Sequence, residues 1–468
     1  MLILTLIVLL IRRLFITRII ILIYLFTSLL LYNGYFHNHE IILYNNLWII
    51  SYKKGIIGIC ILLIASFILK QDRNIKGEKS LILSLSIIGI LSIISSNDWI
   101  LFLLSLELLT YSTSIIACMD KKWESTRSAG LKYFLIGAFS SGFILLGITL
   151  LYSKTGLLQI MMIEDMRTIY NECVSVSQDY SSNHVWHFLN GWNLILAGLL
   201  FKIGAAPFHY WAPDVYDGVP TIITSWIAIF PKLSLLIFIY LWYKHINITY
   251  YFDFSIILYS CWLCFIFGSF LGLIQYRIKR LLAYSSISHI GFILLGILSL
   301  STSITNDYST LDEVIFYIIQ YALTSFTIFF ILMSYDQPYY NIQTISQLKA
   351  KIFNNIFLAL IFNFCLFSLA GLPPFIGFFA KIYVLQLAIN SQLWFIVYTA
   401  ILTSVVGSVQ YLRIINLLNF YENKSKKLSY LSTIDSFDYQ QQSTIHPGNI
   451  NSHIIAFICL FLILGAFI

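Results

Sequence analysis

The chain has 468 residues, of which 59% are hydrophobic and 10% charged, with a formal net charge of +7. Soluble domains carry about 25% charged residues, so this composition describes a polytopic membrane protein and not an anchored soluble domain. The basic residues are spread over short loops, which is no nucleic-acid signal, and no long polar segment remains for a nucleotide fold, a protease or a cofactor domain.

The chain opens MLILTLIVLLIRRLFITRIIILIYLFTSLLLY, with neither a small-residue cleavage site nor the Arg/Ser-rich amphipathic pattern of a transit peptide. Heavy use of Ile, Leu, Phe, Tyr, Asn and Lys points to AT-rich coding and a gene translated inside an organelle. The many aromatics are read as the same bias, not as a quinone-stacking site.

Hydropathy gives about thirteen spans, near 12–31, 55–69, 81–97, 99–118, 130–152, 193–211, 220–243, 254–273, 282–300, 312–334, 353–390, 394–418 and 453–468. The stretch 353–390 is too long for one straight helix and is either broken at AGLPPFIG or two short helices. The expected fold is all-α and polytopic. It divides into N-terminal spans (1–98), a first repeat (99–243) with a polar insertion at 153–192, a second repeat (254–418), and a polar linker with a C-terminal helix (419–468).

The insertion carries His184 and His187 as H-x-x-H and reads as a solvated loop without further ligands. Residues 419–452, rich in Ser, Gln and Lys, read as an irregular linker that contacts neighbouring subunits. The seven cysteines lie mostly inside apolar spans. Cys261 and Cys264 form a C-x-x-C there, read as core thiols and not as a metal or redox pair.

Loop charges are asymmetric. One side receives Arg12, Arg13, Lys70, Arg73, Lys76, Lys79, Lys121, Lys122, Arg127, Arg277, Lys279, Arg280, Lys349, Lys351, Lys424, Lys426 and Lys427. The other holds only Lys53, Lys54, Lys154, Arg167 and Lys244. The positive-inside rule then puts the N-terminus inside and the C-terminus outside.

LFKIGAAPF at 200–208 has a partner in LFSLAGLPPF at 366–375. Gly204, Pro207 and Phe208 match Gly371, Pro374 and Phe375, with Pro373 preceding the second proline. A mid-helix proline removes a hydrogen bond and clashes with the turn before it, so both spans should break at membrane depth. Gly/Pro-interrupted spans at corresponding positions of two halves mark a repeat-built transporter with its site at the midplane. The copies are five spans apart, and an odd interval gives them opposite orientations.

Four ionisable residues lie where a span should tolerate none: Glu107, Lys202, Lys232 and Lys381. A charge at bilayer depth costs several kcal/mol, from roughly 2.5 upward, so such residues are functional candidates by default. Burial disfavours the charged form of a lysine and lets it exchange a proton near neutral pH. A Glu–Lys pair becomes a switch, because pairing holds both charges and separation expels a proton. The expected roles are Glu107 as partner, Lys202 as switch, and Lys232 and Lys381 as relays. Lys232 follows Pro231, which frees a backbone carbonyl beside it. His289, flanked by Ser285, Ser286 and Ser288, is either a hydrated relay step or a packing histidine. Lys132 is either a relay or an interfacial snorkel, as Arg413 and Lys279 are, and His209 either caps the break or relays protons.

The motifs LFKIGAAPFHYWAPDVYDGVP, IFPKLSLL, KRLLAYSSISHIGF, LAGLPPFIGFFAKIYVL and STRSAGLKYFLIGAFSSGFILLGITLLY resemble the chain 2 family of NADH–ubiquinone oxidoreductase, the membrane subunits of respiratory complex I. The resemblance covers roughly 55–415. Related antiporter-like subunits carry a glutamate where Lys381 stands, so this lysine favours chain 2. The resemblance implies coupling roles for Glu107, Lys202, Lys232 and Lys381, and further family positions at Lys132 and His289. It implies no flavin, iron–sulfur cluster or other cofactor in this chain. FMN, the iron–sulfur clusters and ubiquinone would sit in other subunits. Implied partners are other membrane-arm subunits, antiporter-like ones among them, and lipids such as cardiolipin. The implied location is the mitochondrial inner membrane with the N-terminus on the matrix side. Members have fourteen spans with both termini outside, so thirteen with the N-terminus inside matches loss of the first. The alternatives are a cation/proton antiporter subunit working outside a respiratory complex, or a non-conducting scaffold.

Overall fold

The computed structural model describes residues 41–71, 77–119, 124–163, 182–245, 252–302, 310–335, 343–348 and 356–419. The spans expected at 12–31 and 453–468 lie outside the described residues, as does the linker from residue 420 onward. The elements are a short hairpin, β1 (Ile41–Leu43) and β2 (Trp48–Ile50), then α1 (Tyr52–Gln71), α2 (Gly77–Ser95), α3 (Trp99–Cys118), α4 (Glu124–Thr155) and α5 (Ser182–Ile203). They continue with α6 (Trp211–Gly218), α7 (Thr221–His245), α8 (Phe252–Ile274), α9 (Ile278–Thr302), α10 (Thr310–Tyr335), a 3₁₀ turn (Ile345–Leu348), α11 (Ile356–Ala370), α12 (Ile376–Asn390) and α13 (Trp394–Asn419). Eight of the helices are long and apolar enough to cross a membrane.

Every expected span between 55 and 418 corresponds to a helix or a broken pair. The departures lie at polar segments. Residues 153–192, expected as one loop, are described only at their ends. There α4 runs to Thr155 and α5 starts at Ser182, so His184 and His187 fall on a helix. Extending a helix adds one hydrogen bond per residue once the first turn exists, and the apolar stretch 193–203 supplies that start. The span expected at 193–211 stops at Ile203, and its far end turns into the short helix α6. The hairpin departs from the all-α expectation. Its turn residues Tyr44, Asn45 and Asn46 all adopt positive φ, between 50° and 65°.

Loops that should share a side do meet. Asn97 donates its backbone N–H to Leu47 O (2.9 Å), and Ile160 donates to Asn97 O (2.9 Å). At the opposite end of the bundle Ile278 donates to Gln343 O (3.1 Å), and Arg277 and Arg280 pair with Asp217.

The expected break at 353–390 separates α11 from α12, and it repeats the break after α5 bond for bond. Gly204 donates to Leu200 O (3.0 Å) and Phe201 O (3.2 Å), and Ala205 donates to Leu200 O (3.0 Å). Gly371 donates to Phe367 O (3.0 Å) and Ser368 O (3.1 Å), and Leu372 donates to Phe367 O (3.2 Å). This is the left-handed glycine cap that ends many helices. It requires positive φ, which is 77° at Gly204 and 81° at Gly371. Pro207 and Pro374 follow, each after a cis bond, and neither can continue the helix it follows.

The broken helix is fourth of five in each repeat, α2 to α7 and α8 to α13, with α6 and α12 as the second halves. The first repeat therefore takes in Gly77–Ser95, ahead of the boundary expected at 99. α7 lies at the centre and is buried almost throughout, whereas α4 and α13 form the rim. Leu131, Leu135 and Phe139 on α4, and Phe395, Tyr398 and Val405 on α13, present apolar side chains outward. Such stripes suit acyl chains or neighbouring membrane helices.

The two halves of the second broken span pack so closely that a Cβ at Gly377 would lie 1.8 Å from Ser368 O. Gly377→Ala must separate α11 from α12, because the obstacle is backbone. Gly371→Ala instead meets a conformational cost of about 1–2 kcal/mol. Thermal dissociation of the solubilised assembly is expected to start at lower temperature for both variants, with Gly377→Ala the more severe. Unchanged dissociation of Gly377→Ala would contradict the observed packing.

Candidate functional site

Each break leaves carbonyls at the end of a helix with no next turn to donate to them. In the first, the Trp211 indole reaches back from α6 and donates to Phe201 O (2.9 Å), while Ala206 N–H donates to Cys264 Sγ (3.0 Å). In the second, Lys381 reaches back from α12 and its ammonium donates to Leu369 O (2.9 Å) and Ala370 O (2.8 Å). Lys202 is thereby free of the capping task.

Lys202 lies in the last turn of α5 and turns towards α3. Its Nζ is 4.0 Å from Glu107 Oε1, with side-chain exposures of 4% and 17%. Lys202 Nζ makes no hydrogen bond within the protein, nor does Glu107 Oε2. The pair is therefore held at the outer limit of ion-pair contact. A buried charge so loosely matched is costly unless something else shares it. A small cavity beside Lys202 is lined by Thr110, Tyr133 and Ser140.

Lys232 is 1% exposed at the centre of α7. The helix runs through Pro231 without breaking. Lys232 Nζ donates to Ser286 Oγ on α9 (2.7 Å) and stands 5.1 Å from the Tyr216 ring centre. His289, one turn beyond Ser286, is 3% exposed. Its Nδ1 is 2.8 Å from Tyr317 Oη and its Nε2 is 3.4 Å from Tyr411 Oη. Lys381 lines the same small cavity as that imidazole and stands 5.5 Å from the Phe292 ring centre.

The four candidates and His289 thus follow one another across the bundle, Lys202, Lys232 and His289 buried and Glu107 and Lys381 partly buried. The connections between them were not expected from the sequence. Tyr133 shares the cavity beside Lys202, Tyr216 faces Lys232, and the ring of Tyr321 is 5.3 Å from His289. The only trace in the sequence is that these positions are Tyr and not Phe inside otherwise apolar helices. A buried tyrosine needs a partner for its hydroxyl, so that choice carries information.

Lys132 stands apart from this line. Its side chain is 54% exposed and its Nζ is 2.8 Å from Asp214 Oδ2. Asp214 also faces Arg280 (3.4 Å), which holds Asp217 (3.0 Å), which in turn pairs with Arg277. This surface cluster joins α4, α6 and α9, and so links the two repeats. His209, 1% exposed, is stacked against Tyr210 and Phe267, and neither ring nitrogen makes a hydrogen bond within the protein. Cys261 donates to Gly291 O (3.2 Å), and both thiols of the C-x-x-C are buried. Among the described residues no group of three or more His, Cys, Asp or Glu comes together as a metal site.

A family described as NADH:quinone oxidoreductase/Mrp antiporter, transmembrane, matches residues 96–407. NADH-ubiquinone oxidoreductase chain 2 of Rhizopus oryzae is 42% identical over 356 residues, which cover 74% of this chain and 65% of the relative. NADH-quinone oxidoreductase subunit N of Pelagibacter ubique is 33% identical over 412 residues, covering 86% and 82%. A chain of respiratory complex I from Thermus thermophilus shares the fold with a TM-score of 0.76 at 23% identity, over 96% of this chain and 91% of that one. A chain of the Mrp complex from Dietzia has a TM-score of 0.72 at 17% identity, over 87% and 76%. The chain belongs to the NADH:quinone oxidoreductase/Mrp antiporter transmembrane family, the antiporter-like membrane subunits.

Proposed function

We propose that this chain is a proton-translocating membrane subunit of a respiratory NADH:quinone oxidoreductase, of the chain 2 type, in the mitochondrial inner membrane. One observation carries the reading: the line from Glu107 and Lys202 through Lys232 and Ser286 to His289 and Lys381. Its relatives named as chain 2 and subunit N support the choice of complex over a free antiporter. NADH oxidation, quinone reduction and their FMN and iron–sulfur groups belong on this reading to other subunits. Partners would be further membrane-arm subunits against the outward stripes of α4 and α13, with anionic lipids such as cardiolipin between them. The N-terminus would face the matrix, with the Arg277 and Arg280 end of the bundle.

The chemistry follows from low dielectric. Two unit charges 4 Å apart attract by about 4 kcal/mol at an effective dielectric near 20, against about 1 in water. A change in the Glu107–Lys202 separation therefore changes how strongly the carboxylate holds the Lys202 ammonium. When Glu107 withdraws, Lys202 loses the charge that favours its ammonium and releases a proton along the tyrosine-lined path. Lys232, already hydrogen-bonded to Ser286, passes the disturbance to α9 and on to His289 and Lys381. Each lysine neutralises as its neighbour gains charge, because two like charges in this interior repel by the same arithmetic.

Lys202→Ala and Glu107→Gln are each expected to lower coupled NADH:quinone turnover in the assembled complex by about tenfold or more. Normal rate and normal proton-to-electron ratio in either assembled variant would remove the proposal. Ser286→Ala deletes one hydrogen bond to a charged group, worth about 1.5–3 kcal/mol. It is expected to slow turnover while leaving assembly intact, as judged by native gel and activity stain. For sidedness, Ser346→Cys is expected to react with an impermeant thiol reagent from the matrix side only, and Lys154→Cys from the opposite side only. Labelling of both from one side would refute the orientation.

A further inference from the structure

Between His289 and Lys381 lies a cavity of about 20 Å³ bounded by α8, α9, α11, α12 and α13. Ser288 and His289 contribute from α9, Lys381 from α12, and Thr403, Gln410 and Tyr411 from α13. Gln410 is 1% exposed, yet neither its Nε2 nor its Oε1 makes a hydrogen bond of good geometry with the protein. Burying an unpaired amide is costly, and native proteins leave few such groups. The amide lies against Gly272 of α8, where an added Cβ would sit 2.1 Å from Oε1, so the backbone of α8 is bare to admit it.

We infer that Gln410 positions a water molecule between the Lys381 ammonium and the His289–Tyr411 pair. The inference rests on the proton-translocating reading and adds a residue to it. A cavity needs roughly 10–15 Å³ and two to four polar partners to hold one water. The volume suffices, and the partners are at hand. Lys381 spends two of its three N–H donors on Leu369 O and Ala370 O, which leaves the third for the cavity. With His289 Nδ1 donating to Tyr317 Oη, Nε2 is the acceptor, and its 3.4 Å to Tyr411 Oη is long for a direct bond. The Gln410 amide supplies both a donor and an acceptor. It takes no proton itself and acts by orienting the water, as a positioning residue.

The transfer balances. A Lys381 N–H bond breaks as its proton joins the water oxygen, while a water O–H bond breaks towards His289 Nε2. A neutral amine, an intact water and an imidazolium result. Gln410 fixes the water so that both transfers are in line.

The test uses the assembled complex in native membranes. Gln410→Met keeps length and bulk without the amide, and is expected to lower coupled turnover roughly tenfold. Gln410→Asn keeps the amide and is expected to recover most of that loss. Wild-type turnover in Gln410→Met would overturn the inference. So would a Gln410→Asn variant as defective as Gln410→Met, since restoring an amide at this position would then recover nothing. Lys381→Ala is measured alongside: if it also turns over normally the proton-translocating reading falls, whereas a defective Lys381→Ala with a normal Gln410→Met sinks this inference alone. Should Gln410→Met not assemble, a high-resolution map of the wild-type complex decides. Density within hydrogen-bond distance of both Gln410 and Lys381 supports the water, and a dry cavity overturns it.

Discussion

A helix broken inside an apolar bundle must find partners for its last carbonyls within the bundle, since lipid offers none. Much of this architecture follows from how the two breaks meet that demand. Both use a left-handed glycine to turn two N–H groups back onto the final turn. Each break then takes a further donor of a different kind: the neutral Trp211 indole on Phe201 O in the first repeat, the Lys381 ammonium on Leu369 O and Ala370 O in the second. A repeat duplicated in sequence has been specialised in chemistry.

The specialisation decides what each lysine can do. Lys381 is tied to two carbonyls and shares its charge with the dipole of α11, whose C-terminus carries partial negative charge. Lys202, relieved by Trp211, has only Glu107 at the edge of contact. The first is a held cation and the second an easily disturbed one. A disturbance entering at Glu107 would meet the most responsive group first and the most firmly held group last, and that order gives the line a direction.

Between these ends, α7 occupies the centre and carries the lysine with the best neutral partner, Ser286. Its burial on all sides means that Lys232 cannot reach an aqueous face by a change of rotamer. Tyrosines on α4, α6, α10 and α13 fill the intervals. Their rings pack as the apolar core requires, and the hydroxyls of Tyr133, Tyr317 and Tyr411 make polar contacts that a phenylalanine could not. The exposed cluster of Lys132, Asp214, Arg280, Asp217 and Arg277 differs in kind, since solvent-screened pairs contribute little to stability. Its effect is to fix which helix ends meet at that face.

Spans, breaks and buried ionisable residues were all legible in the sequence. Each rests on a local rule: apolar length for a helix, glycine and proline for its interruption, and the cost of a charge in an apolar stretch. The odd interval between LFKIGAAPF and LFSLAGLPPF likewise carried the opposed orientation of the repeats. The sequence suggested Glu107 as the partner of Lys202 but left Lys132 open between relay and snorkel, because its outward turn to Asp214 depends on which helix lies opposite. Nor could it mark Tyr133, Tyr216, Tyr321 and Gln410, whose neighbours come from distant parts of the chain, as Gly272 does for Gln410. Local chemistry determined which groups are costly to bury; only the packing of helices against one another decided which of them share that cost.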